Sequence, residues 1–330
     1  MKILFIIIGR SKPSSRKRVL DSVDYLKGRG HGVDVVDAPG DLAGQLSILG
    51  RVARYDLVVL QKKLFSPVQL RLMVRANRNI IYDLDDAVMF HEVERKEPIT
   101  GKFFRRFTLA ASLCRGVIAG NNYLAEFAVA ARGSDDGVAV LPTPVDINAV
   151  KPKQYVATGK LVVGWMGTKG NLRNLDSISG PLSEVFKAFP DACLKVVSDA
   201  EPDIPGIPVE FKPWSAVDEA EDLRSFDIGL MPLDDNIWTR GKGGYKLLQY
   251  MTAGVPSVAS PVGINRDIIS DGENGFLAAD NKGWANALTT LAADPVLREN
   301  IGRAGRDTVE KGYSLERYNE GLAGFLERFV

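Results

Sequence analysis

Short apolar runs alternate with longer amphipathic stretches through the first part of the chain. The runs are Ile3 to Ile8, Val33 to Val36, Leu57 to Leu60, Asn79 to Tyr82, Gly116 to Ala119 and Val138 to Leu141. Most are continuously apolar, the pattern of parallel strands covered on both faces. Helical stretches such as Arg16 to Arg29 lie between them. Alternation of this kind predicts a doubly wound parallel sheet. The pattern pauses over residues 142–160, where Pro142, Pro144, Pro152 and Gly159 break any period. It restarts at Leu161 to Met166 and runs on through Cys193 to Val197, Val209 to Phe211, Ile228 to Met231 and Ser257 to Ala259. The expected fold is therefore α/β, with two Rossmann-like domains over residues 1–148 and 149–313. Ligands are expected in a cleft at the carboxyl ends of the strands. A last helix is expected over 314–330, capped by Ser314. Its Leu315, Tyr318, Leu322, Phe325 and Phe329 follow a 3,4,3,4 spacing and form one apolar stripe. That stripe is expected to bring the helix back onto the N-terminal domain.

A length of 330 residues suits two domains of this size. Lys and Arg number 42 against 41 Asp and Glu, so no charge excess points to nucleic acid as a partner. Two cysteines, Cys114 and Cys193, give no disulfide framework and suit a reducing compartment, so a cytoplasmic location is expected. With only His31 and His91, a histidine-rich metal site is excluded. The opening apolar run reads as a buried strand rather than a signal peptide, because Gly9 and Arg10 end it too soon. No run has the length of a membrane span, no amphipathic basic helix stands out, and weak membrane association is the most that is expected.

The most informative stretch is Gly241 to Pro256, where glycines precede a helix that Gly254 ends. Lys242, Lys246 and Gln249 share one face if the helix starts early enough. A glycine-rich entry, Gly243 and Gly244 before Tyr245, presents backbone N–H groups at the positive end of the helix. With two ammonium groups added, the site suits a diphosphate, and the Gln249 amide could reach ribose hydroxyls. The alternative is a solvated lysine face.

Gly241 through Asn265 resembles the donor-binding segment of retaining GT-B glycosyltransferases of family four. Val140 to Asp146, Gly164 to Thr168, Ser260 to Gly263 and the Asp271-Gly272-Glu273-Asn274-Gly275 turn resemble further motifs of that family, in its order and spacing. The family's two helix glutamates are replaced by Gly241 and Gln249. The resemblance implies a GT-B fold and transfer of sugar from a UDP- or GDP-type nucleotide-diphosphate sugar. It also implies retention of configuration and no metal or other cofactor. Gly167, Thr168 and Lys169 would meet the donor phosphates, with Lys246 as the cation for the leaving group. Asp85 and Asp86, after the strand ending Ile80-Ile81-Tyr82, would orient or deprotonate the acceptor. Their superficial Asp-x-Asp pattern is not read as a metal motif. Ser15, Arg16, Gln61 (followed by Lys62) and Asn121 are the acceptor-side candidates, and His91 a weaker one. Trp165 and Trp238 could stack on a sugar or base, but suit core packing better. A saccharide, a lipid-linked saccharide or a small molecule could be the acceptor. A nucleotide-sugar epimerase of the same layout and an inactive nucleotide-sugar-binding protein stay open as alternatives. An NAD enzyme is disfavoured, because no GxGxxG follows the first strand.

Overall fold

The computed structural model describes residues 1–40, 42–90, 101–155 and 159–329. Contacts divide the chain into two units: Met1–Pro144 with Asn236–Gly243 and Leu315–Val330, and Val145–Asp235 with Gly244–Ser314.

In the first unit the strands are β1 (Lys2–Ile7), β2 (Gly32–Asp37), β3 (Leu57–Gln61), β4 (Ile80–Leu84), β5 (Gly116–Ala119) and β6 (Val138–Val140). They form one parallel sheet in the order β2-β1-β3-β4-β5-β6. Strand order reverses at β1, which places a topological switch point between the carboxyl ends of β1 and β3. The continuous apolar runs follow from covering on both faces. Leu4, Ile6, Val58, Leu60, Ile80 and Tyr82 enter one core layer. Ile3, Phe5, Ile7, Leu57, Val59 and Ile81 enter the other. At about 1.5–3 kcal/mol for each buried large apolar side chain, these two layers supply the driving force for the unit.

The helix Leu315–Glu327 belongs to the second layer through Tyr318, Leu322, Phe325 and Leu326. A buried ion pair ties it down. Arg18 Nη2 lies 2.5 Å from Asp83 Oδ1 at the end of β4, and Arg18 Nη1 donates to Leu141 O at 2.8 Å. The Tyr318 ring lies against the guanidinium at 5.4 Å, and its hydroxyl donates to Arg18 O at 2.9 Å. Holding Arg18 in the core also marks a break in the expected helix from Arg16 to Arg29. That stretch is a helix Pro13–Arg18, a 3-10 turn Leu20–Ser22 and a helix Val23–Gly28.

Residues 236–243 were expected in the second domain but pack in the first unit. Asn121 Nδ2 donates to Lys242 O at 3.1 Å and to Arg240 O at 3.3 Å, and Tyr123 Oη donates to Ile237 O at 3.1 Å. Trp238 packs against the first core layer.

The second unit carries β7 (Val162–Gly167), β8 (Cys193–Ser198), β9 (Val209–Pro213), β10 (Ile228–Met231), β11 (Ser257–Ala259) and β12 (Phe276–Leu277), parallel and ordered β12-β11-β10-β7-β8-β9. Strand β12 has two residues, too few for a period to announce it. The Asp271 to Gly275 turn is structural. Asn274 accepts from Ser270 N at 2.8 Å and donates to Ile268 O and Thr308 Oγ1, while Asp271 Oδ1 accepts from Leu277 N.

Candidate functional site

In the first unit the predicted residues gather at the carboxyl ends of β1, β3 and β4. Ser15 Oγ donates to Gln61 Oε1 at 2.7 Å, both residues buried, across the switch point. Among the described residues, Gln61 Nε2 is buried without a hydrogen-bond partner, as is Nε of the half-buried Arg16. Such orphaned donors cost stability and call for a reason, of which a polar ligand is one.

The next residue, Lys62, has a φ of 61°, the left-handed region in a residue with a Cβ. Such strain persists only where surrounding structure over-determines it, and it clusters at functional sites. The bend carries Lys62 Nζ to within 3.1 Å of Asp85 Oδ1 and onto Asp86 Oδ2. Burial works against the Lys62 charge, but the two carboxylates outweigh it and raise its pKa. Burial and the neighbouring Asp85 push the Asp86 carboxyl up, against the opposing pull of Lys62 and Lys242. Burial likewise raises Asp83, against its pairing with Arg18. The two site carboxylates thus take their counter-charge from an ammonium group of this chain.

Asn121 does not present its amide to a ligand. Its Oδ1 caps the helix Asn122–Arg132 through Leu124 N at 2.9 Å, and its Nδ2 clamps residues 240 and 242. Gly241 abuts the same acidic loop: a Cβ there would lie 2.5 Å from Ala87 Cβ and 2.8 Å from Ala87 N. A glutamate at 241 therefore has no room. Gly243 is more open, with Thr143 Oγ1 at 3.7 Å from such a Cβ.

In the second unit the helix Tyr245–Thr252 begins after Gly244, whose φ of 63° sets the turn. Lys242 is extended, outside the helix. The expected single face of Lys242, Lys246 and Gln249 is therefore not formed, because the left-handed turn at Gly244 separates Lys242 from it. Lys242 belongs with the acidic loop of the first unit, and Lys246 with the second. Lys246 Nζ lies 5.4 Å over the ring of the fully buried Trp165 on β7, and Tyr250 Oη accepts from Met166 N at 3.0 Å. These contacts set the first turn of the helix beside the carboxyl end of β7. Gly167 closes that strand, and a Cβ there would meet the Trp165 ring at 2.6 Å. Thr168 Oγ1 accepts from Asn171 Nδ2 at 3.0 Å, and Lys169 N donates to Asp199 Oδ1 at 2.5 Å. Tyr245 packs against the core of the unit. Gln249 Nε2 donates to Glu219 Oε1 at 3.0 Å, and the Trp214 indole donates to Glu219 Oε2 at 2.9 Å.

His91 lies outside the described residues. Sequence reasoning named Lys62 only as the residue after Gln61, without its pivot, and passed over the Arg18–Asp83 pair and Glu219 beside Gln249. Lys62 had one legible signal, a lysine directly after an apolar strand. The other two join residues far apart in sequence, and no local pattern marks them.

Residues 154–294 match the family model described as glycosyl transferases group 1. The chain is 33% identical over 156 residues to the sulfoquinovosyl transferase SQD2 of Arabidopsis thaliana, covering 45% of this chain and 29% of that protein. It is 29% identical over 215 residues to the phosphatidyl-myo-inositol mannosyltransferase of Mycobacterium leprae, covering 59% of this chain and 54% of that protein. The matches thus span about half or less of those relatives' own length. Among solved structures, Anabaena HepE in complex with UDP and glucose aligns over 99% of this chain and 100% of its own, with a TM-score of 0.76 and 18% identity.

Proposed function

We propose, for a chain whose residues 154–294 match the group 1 glycosyl transferase model and which has the two-sheet GT-B fold, that it moves a sugar from a nucleotide-diphosphate sugar to an acceptor hydroxyl. The donor is of the UDP or GDP type, configuration is retained, and no divalent metal ion takes part. The observation that carries the reading is the carboxyl end of β7. There the first turn of the helix Tyr245–Thr252, entered through Gly244, stands with Lys246 beside Trp165 and the loop Gly167-Thr168-Lys169. Backbone N–H groups at a helix start and a fixed ammonium group are what a departing diphosphate needs. They would do the work that a bound metal does elsewhere.

In the first unit, Asp86 carries a carboxyl whose pKa is raised by burial and by Asp85. A carboxylate shifted in that direction is suited to accept a hydrogen bond from an acceptor hydroxyl and to share its proton as the bond to the sugar forms. Both acids are engaged by Lys62, so neither is offered as a nucleophile for a double displacement. Attack on the face that the diphosphate leaves, with the leaving phosphate helping to take the proton, fits retention.

The test is thermal stabilisation by a panel of nucleotides and nucleotide sugars in excess EDTA, followed by release of free sugar from the stabilising donor. A ligand that binds only the folded protein raises the melting temperature. Stabilisation by UDP or GDP and donor turnover in EDTA are the expected results. Stabilisation without turnover would place the chain among nucleotide-sugar-binding proteins without activity. Stabilisation by NAD(H) alone would overturn the reading.

A further inference from the structure

A cavity of about 860 Å³ opens in the first unit beside Lys62. Its apolar wall includes Phe90, Phe103 and Trp238, and its cations are Lys62, Lys63 and Arg106. None of its described lining residues is acidic. Lys62 is held by Asp85 and Asp86, so the positive character rests on Lys63 and Arg106. Arg106 Nη1 donates to Leu64 O at 3.4 Å, which fixes the guanidinium at the wall and leaves other donors of its fork available. Neither Lys63 nor Arg106 forms an ion pair among the described residues. A space of this size, lined by aromatic rings and by two cations outside any ion pair among the described residues, suits neither a bare sugar nor a bare phosphate. Its chemistry matches an anion with an apolar tail.

A second feature adjoins it. Ser66 and Gln69 of the cavity wall cap the helix Pro67–Ala76 through a reciprocal pair of hydrogen bonds. On that helix Val68 is 67% and Leu72 45% exposed, and Arg71 and Arg75 are exposed beside them. Positions 68, 71, 72 and 75 share one helical face. Two bare aliphatic side chains flanked by two arginines form the pattern that rests on an anionic membrane surface.

We infer that this cavity is the acceptor subsite for a lipid phosphate: a phosphate ester with a long alkyl or polyisoprenyl chain on one side and, on the other, the head group that bears the acceptor hydroxyl. The Pro67–Ala76 helix holds the protein against the membrane that supplies it. Lys63 and Arg106 take the phosphate, and Phe90, Phe103 and Trp238 take the first part of the chain. The inference rests on the transferase reading for the word acceptor, but binding is tested apart from turnover.

The full chain is titrated with hexyl, octyl and decyl phosphate below their micelle concentrations, with tryptophan fluorescence as the readout. Affinity should rise about three- to fourfold per added methylene, and inorganic phosphate and decyltrimethylammonium should not bind. The double substitution Lys63→Ala with Arg106→Ala should weaken decyl phosphate about tenfold or more. In flotation with phosphatidylcholine vesicles containing phosphatidylglycerol, Arg71→Gln with Arg75→Gln should weaken binding about thirtyfold. Their exposed positions make a folding defect an unsuitable explanation. Affinity independent of chain length, equal binding of the alkylammonium ion, or vesicle binding unchanged by the arginine substitutions would each overturn the inference. If UDP or GDP still stabilises the protein in those cases, the transferase reading survives. If no nucleotide does, that reading fails on its own account.

Discussion

Replacing Lys62 by methionine keeps most of the side chain's length and removes its charge. Asp85 and Asp86 then lose the ammonium group that lies on both of them. Breaking a buried ion pair from one side costs about 3–5 kcal/mol, because a charge is left uncompensated. Asp86 is 32% exposed at its side chain, so solvent returns part of that cost, and about 2–3 kcal/mol is the expected loss near neutral pH. For a unit of this size the melting temperature should fall by about 4–12 °C. The pH dependence fixes the cause. Lys62 has a raised pKa in the folded protein, so its contribution is fully present below the ordinary lysine value and is lost only above it. In the native protein it is therefore constant between pH 5 and 8. Asp86 has linkage of the same sign in the lower pH window of a carboxyl group. Its folded pKa is raised, so the folded state binds the proton more tightly than the unfolded state, and acidification favours folding until the ordinary carboxyl value is reached. Without Lys62 that rise becomes larger. Lys62→Met should therefore melt well below the native protein near pH 7.5 and regain much of the difference near pH 5. Thermal unfolding by circular dichroism at the two pH values measures it. A variant that melts within about 1 °C of the native protein at both would refute the placement of Lys62 as the counter-charge.

Lys246→Met should weaken binding of the stabilising nucleoside diphosphate about tenfold or more, the worth of one charge-assisted hydrogen bond, and calorimetric titration would measure it. Unchanged affinity would remove Lys246 from the phosphate site. Gly241→Ala should destabilise by about 1–3 kcal/mol, because its Cβ meets Ala87 at 2.5 Å, whereas Gly243→Ala should be close to neutral in a thermal melt. Equal effects would mean that residues 236–243 do not pack as described. Gln249→Glu brings a carboxylate to Glu219, now 3.0 Å from the amide. It should lower the melting temperature at pH 8 through like-charge repulsion, and an unchanged melt there would count against the contact.

Much of the fold was legible because burial on both faces writes itself into the chain as uninterrupted apolar runs. Ile3 to Ile8 and Leu57 to Leu60 became β1 and β3, and the stripe from Leu315 became a helix in the core of the first unit. Two things resisted. Residues 236–243 join the first unit through main-chain carbonyls accepted by Asn121 and Tyr123, and a carbonyl is the same at every position in the sequence. The break after Arg18 accompanies a guanidinium held by Asp83, 65 residues away. Charged residues at a helix start read as surface, and only the tertiary partner reverses that.

The site was legible as residue types and less so as geometry. Ser15, Gln61, Asp85 and Asp86 stand together because each follows or faces the end of a parallel strand, and strand ends can be counted from sequence. Lys242 and Lys246 were set on one face by helical arithmetic, but a single left-handed residue, Gly244, placed between them ends that arithmetic. The two departures from the glutamate pair of the glycosyltransferases that this segment resembles then have separate physical causes. At 241 a side chain of any kind is excluded by Ala87, so the position answers to the packing of residues 236–243 and not to donor chemistry. At 249 the neutral amide is what Glu219 can accept, and Glu219 is also held by the Trp214 indole. The negative charge that a glutamate would bring on the helix already stands beside it on another element. A glutamine at 249 is therefore the residue that keeps one carboxylate at that place and avoids two.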